Sequence, residues 1–147
     1  MIIYLNSPPN VEFDPPCSLF DSRTGAVIEL GAGTGFLGLA MARLFSSKIC
    51  DGSSKTIILT DLPDVCPLLD RNYIQKMPNG LPNVKLFIEP LPWGIIHFVN
   101  NLADKISNNS IKSTPLLSHI ICSDLVTGVF SHSLAELFNS YTLGIFS

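Results

Sequence analysis

Charge is scarce in this chain: Asp, Glu, Lys and Arg make up 14 % of its 147 residues, against about 25 % in an average soluble domain. Nine basic and 12 acidic side chains leave a net charge of −3, which gives no electrostatic footprint for a phosphate backbone and excludes a general nucleic-acid binder. The four cysteines, Cys17, Cys50, Cys66 and Cys122, form no C-x-x-C pair. None of His97, His119 and His132 stands at ligand spacing to a cysteine pair, so no metal site is expected. Isolated cysteines of this kind read as buried small hydrophobes in a reducing compartment. No basic region precedes the short apolar run at residues 1–5, so a signal peptide is not expected. The Asn108-Asn109-Ser110 sequon therefore carries no weight. The most apolar window, residues 26–45, is interrupted by Glu29, Arg43 and a glycine cluster, and does not read as a membrane span. There is no internal repeat. A soluble, cytoplasmic protein is expected, with the nucleus open as a second location.

What is present is apolar material in a regular order. At 46 % hydrophobic residues the chain is too apolar for disorder, and its length suits one domain. Residues 1–24 carry Pro8, Pro9, Pro15 and Pro16 without periodicity and read as an irregular lead-in. Residues 26–30, 56–60, 84–88 and 119–123 are short β-branched runs, predicted as strands. Between them fall helical patterns: residues 34–45, then Val65, Leu68, Leu69, Asn72, Tyr73 and Lys76 on one face, then Ile95, Ile96, Val99, Leu102, Ala103 and Ile106. Asp64 reads as the N-cap of the second helix, with Pro67 in its first turn. Pro78-Asn79-Gly80 ends it. Strand and helix alternate, which predicts an α/β fold with a parallel sheet and helices on both faces.

The strongest motif lies between the first strand and the first helix: Glu29-Leu30-Gly31-Ala32-Gly33-Thr34-Gly35. Glycines at such a turn let a ligand approach the backbone, and the helix N-terminus beyond attracts an anion. Asp61 closes the next strand, where a carboxylate can accept both hydroxyls of a ribose. A nucleotide-type cofactor is the implied ligand; helix–strand packing alone is the competing explanation. Gly33 to Gly38 also fits G-x-G-x-x-G, the dinucleotide pattern, which keeps an NAD(P)-binding domain open. Glu29 argues against it, because a carboxylate repels pyrophosphate but suits a sulfonium and an ammonium. S-adenosylmethionine carries both cations and no phosphate.

Residues 27–40 resemble motif I of the seven-β-strand S-adenosylmethionine-dependent methyltransferases. Leu59-Thr60-Asp61-Leu62-Pro63, with Leu68, Leu69 and Asn72, resembles a stretch of their protein-lysine methyltransferase branch, which acts on elongation factors and chaperones. Leu91-Pro92-Trp93-Gly94 is similar to the branch's L-x-W-G, and Cys122-Ser123-Asp124-Leu125-Val126 to its A-D-[IVL]-[IV]-Y. The resemblance implies a Rossmann-like domain over residues 25–126, S-adenosylmethionine as cofactor and a protein lysine as substrate. It places Gly31, Ala32 and Gly33 against the cofactor's amino-acid and ribose parts, beside Glu29, Gly35 and Leu62. It sets Asp61 on the ribose hydroxyls, Trp93 near the adenine, the Ser123 backbone on the cofactor, and Asp124, as the catalytic candidate, toward the incoming amine. For Trp93 the alternative is an ordinary core tryptophan, and for Asp124 a cap at a strand end.

The pattern also departs from the branch. Thr127 stands where its tyrosine is expected, residues 1–25 hold no tryptophan, and only strands one to four of seven are predicted. Residues 127–147 read as an atypical tail. A truncated gene product is the expectation, poorly soluble alone because Ile120-Ile121-Cys122 would form an apolar edge. A catalytically dead cofactor-binding or protein-interaction fragment therefore stays open as the alternative function.

Overall fold

Gly25 and Gly31 bracket five consecutive buried residues, and these form strand β1, Ala26–Leu30. The computed structural model describes residue 19 and residues 25–48, 54–107 and 117–122. In chain order the elements after β1 are α1 (Phe36–Lys48), β2 (Lys55–Asp61), α2 (Cys66–Lys76), β3 (Val84–Pro90), α3 (Ile96–Ser107) and β4 (Leu117–Cys122). The four strands form one parallel sheet in the order β3-β2-β1-β4. This is the α/β arrangement expected from the alternating pattern, and the Rossmann-like one that the resemblance implies.

Alternate residues of β1 and β2 face opposite layers, as the two-residue period of a strand requires. Val27, Ile57 and Leu59 pack with Leu37, Met41, Ala42 and Phe45 of α1 and with Leu69 of α2. Ala26, Ile28, Leu30 and Ile58 pack on the other face with Val99 and Leu102 of α3. Helices thus cover both faces, and β1 and β2 are buried on both sides, as their largely apolar cores imply. In β4 one extra residue, Ser118, falls between the partners of Ala26 and Val27. Its hydroxyl donates to the Ala26 carbonyl at 3.1 Å, so the bulge is held in place.

Four expectations are corrected. The first helix begins at Phe36 rather than Thr34, because the glycine turn continues until Gly35 accepts the Leu39 N–H. Asp64 is not the cap of α2; Val65 holds that position with no side-chain hydrogen bond. The Leu62 carbonyl already takes the Val65 and Cys66 N–H groups, and Pro67 has none to offer, which leaves little for a side-chain cap to do. Ile95 and Ile96 are 42 % and 50 % exposed, because the left-handed turn at Gly94 (φ +78°) delays α3 until Val99 and Leu102 reach the sheet. Finally, Cys66 is half-buried and Cys122 exposed rather than both being core residues. Each sits at an element end, where the sheet no longer covers it. Cys17 and Cys50 lie outside the described residues.

Candidate functional site

Because all four strands run the same way, Leu30, Asp61, Pro90 and Cys122 end on one edge of the sheet. The connection through α1 leads from β1 to one neighbour, and that through α3 returns to β4 on its other side. The strand order therefore reverses at β1, the position where open α/β sheets bind their ligands. The glycine loop rises from that point.

Asp61 organises this edge. Its Oδ2 accepts the Gly33 N–H at 2.7 Å and its Oδ1 accepts the Leu62 N–H at 2.7 Å. Its carbonyl accepts the Leu91 N–H at 2.8 Å, and the Cys66 thiol points to the same oxygen at 3.9 Å. The carboxylate is thereby fixed between the end of β1 and the exit of β3. Two of its roughly four lone-pair directions are used; the others can accept two hydroxyls. The loop is closed by Ala32 N–H donating to the Thr60 carbonyl at 3.0 Å and Gly35 N–H to the Ala32 carbonyl at 2.8 Å. Thr60 in turn donates its hydroxyl to the Glu29 carbonyl at 2.8 Å. Thr60 belongs to the motif quoted above but has no role there, since a threonine inside an apolar strand gives no signal of its own.

The cradle fits a cofactor of the expected shape. Gly33 has φ +58° and nothing within 4 Å of where a Cβ would stand, so the backbone faces open space there and a side chain would intrude on a ligand. Gly31, Ala32, Gly33, Gly35, Asp61 and Leu62 come together at the ends of β1 and β2. Glu29 is 1 % exposed and lies beneath them: a Cβ on Gly38 would stand 2.6 Å from its Oε2. Its carboxyl is therefore packed against α1 just beyond the loop, out of contact with solvent. Trp93 follows the β3 exit and is 38 % exposed, which removes the core-tryptophan alternative. Ser123 and Asp124 lie outside the described residues.

Both described thiols are held protonated. Burial, and then the Asp61 charge, push Cys66 up from its ordinary value of 9.0; the hydrogen bond to the Asp61 carbonyl opposes this, and Asp70 and Glu89 add to the rise. Desolvation, and then Glu29, push Cys122 up in the same way. The charge on Glu29 is thus felt at the carboxyl end of β4, where Cys122 stands opposite Leu30. Among the described residues no group of three or more His, Cys, Asp and Glu side chains could hold a metal ion. No helix among them is long and apolar enough to cross a membrane.

The family model for lysine methyltransferases matches residues 2–135. The chain belongs to the lysine methyltransferase family. No curated protein matches it significantly. Membership makes the chain an enzyme of the S-adenosylmethionine-dependent methyltransferase class. Asn72 of this lysine methyltransferase carries no assignment from the sequence, yet it reaches the loop: its Nδ2 donates to the Thr34 carbonyl at 2.9 Å.

Proposed function

We propose that the chain is a protein-lysine N-methyltransferase domain that binds S-adenosylmethionine at the carboxyl edge of its sheet. The observation that carries this is the Asp61 carboxylate, clamped by Gly33 and Leu62 N–H groups with two acceptor directions left over. In this reading Asp61 accepts the ribose hydroxyls, and Gly31, Ala32 and Gly33 admit the cofactor to the backbone. Leu62, 53 % exposed, and Trp93 supply apolar surface beside Asp61 for the adenine. Glu29 supports the cationic end from below and Gly35 closes the loop, while Ser123 is added on the family resemblance alone. When bound, S-adenosylmethionine supplies an electrophilic methyl group on a sulfonium.

The acceptor must be a neutral amine. Lysine, at a reference pKa of about 10.4, lies about 3.4 units above neutrality, a cost of about 4.6 kcal/mol at pH 7. The enzyme offsets this by desolvating the amine or by holding it beside a proton acceptor. Asp124, two residues beyond Cys122 in the sequence, takes that part on the family resemblance.

Titration with S-adenosylhomocysteine tests the cofactor half. Binding that disappears with Asp61→Ala supports it, whereas NADH binding in its place would sink it. Transfer of a labelled methyl group to lysine side chains of lysate proteins tests the rest. A chain that binds the cofactor and transfers nothing would be the non-catalytic module instead.

A further inference from the structure

Helix α2 meets the glycine loop at two places, three residues apart on one helical face. A Cβ on Gly35 would stand 2.8 Å from the Leu69 Cδ2, so Leu69, itself 1 % exposed, lies against the backbone of the loop's last glycine. One turn further along, the Asn72 Nδ2 donates to the Thr34 carbonyl at 2.9 Å. That carbonyl stands ahead of the first helical acceptor of α1, which is Gly35, so α1 itself offers it no helical donor.

The Thr34 oxygen and the Gly35 N–H belong to one planar peptide unit. Its N–H is held by the Ala32 carbonyl at 2.8 Å and its oxygen by Asn72. With both ends held the plane cannot rotate, and the directions of the neighbouring loop groups are set with it. The same two helices share a second tie, from Arg43 Nη2 to the Lys76 carbonyl at 3.1 Å, about two turns along α1 from the loop. Both bonds thus tie α2 to α1 or to the turn leading into it, but of the two only that of Asn72 reaches the glycine loop.

We propose that Asn72 is a positioning residue: by pinning the Thr34–Gly35 peptide it holds the glycine loop in its binding shape before the cofactor arrives. The inference rests on the cofactor reading given above. Because Thr34 is exposed, the bond adds little to global stability, and its effect falls on loop order and affinity.

The test compares Asn72→Leu, Asn72→Gln and Arg43→Met in the full chain by amide hydrogen exchange, S-adenosylhomocysteine titration and thermal unfolding. Asn72→Leu is expected to speed exchange at residues 33–35 several-fold and to weaken binding about tenfold, with a Tm change no larger than that of Arg43→Met. Asn72→Gln, which keeps the amide donor, restores most of both, and Arg43→Met leaves both unchanged. Loop exchange in Asn72→Leu equal to wild type overturns the proposal, as does a loss of affinity matched by Arg43→Met. If Asn72→Leu fails to fold, Asn72→Ser, too short to reach Thr34, carries the same two expectations. A wild-type chain that binds no S-adenosylhomocysteine overturns the cofactor reading and the proposal together. A wild type that binds, beside an Asn72→Leu variant that binds equally well, overturns the positioning role alone.

Discussion

Replacing Gly38 by alanine sets helix propensity against packing, and the structure says which wins. Gly38 lies inside α1, where alanine is favoured over glycine by about 0.8–1.0 kcal/mol. Its missing Cβ, however, would stand 2.1 Å from the Leu59 Cδ2 and 2.6 Å from the Glu29 Oε2. Neither neighbour has room to retreat, since Leu59 is 0 % and Glu29 1 % exposed. Overpacking a filled core costs about 1–3 kcal/mol, and two contacts this short place the cost in the upper part of that range. The net effect is a loss of about 1–2 kcal/mol, which for a chain of 147 residues lowers Tm by roughly 3–6 °C. Circular dichroism melts measure it. The double variant with Leu59→Ala relieves the clash, so the two substitutions should be less than additive by about 0.5–3 kcal/mol. A Gly38→Ala protein that melts at or above wild type, or a double variant whose costs simply add, would refute the close-approach argument.

Three further outcomes are expected. Asp61→Ala leaves the Gly33 and Leu62 N–H groups without their carboxylate and costs about 1–3 kcal/mol in a denaturant titration, with Asp61→Asn retaining part of that stability. Leu69→Ala opens a cavity beneath Gly35 and lowers stability by about 2–5 kcal/mol, read from the shift in denaturant midpoint. The raised thiols add a pH dependence: a folded-state value above the unfolded 9.0 gives stability that is complete below that pH and is lost as pH climbs through the folded value. Unfolding curves between pH 8 and 11 should show this decline, and a Cys66→Ser, Cys122→Ser double variant should flatten it.

Much of this architecture was written locally in the chain. β1 has the bounds its sequence predicts, because glycines close the run at both ends. The parallel sheet followed from alternation, and the meeting of glycine loop and Asp61 from the ends of adjacent strands. Departures came where backbone geometry, rather than residue type, decided the outcome. Asp64 resembled a cap until the Leu62 carbonyl took the donors it would have satisfied. Ile95 and Ile96 continued a helical stripe, but the turn at Gly94 set the phase of α3. Nothing in the spacing of Glu29 reveals that it lies under Gly38 rather than at the surface. Asn72 stood in the quoted motif without a role. Its position three residues after Leu69 was the available signal, and its meaning depended on a partner 38 residues away.

The position of β4 beside β1 has a consequence for the order of assembly. Val27 and Ile57, paired across β1 and β2, are 30 residues apart in the chain, and the Gly33–Asp61 clamp spans 28. The Ser118–Ala26 contact that seats β4 spans 92. By loop-closure entropy alone the longer join costs about 1 kcal/mol more than the shorter one, and non-local pairings of this kind form slowly. On a ribosome the inequality is sharper, since residues 26–61 leave the exit tunnel well before Leu117 is synthesised. The cradle at the end of β1 can thus close on itself while the opposite flank of that strand still waits for its partner.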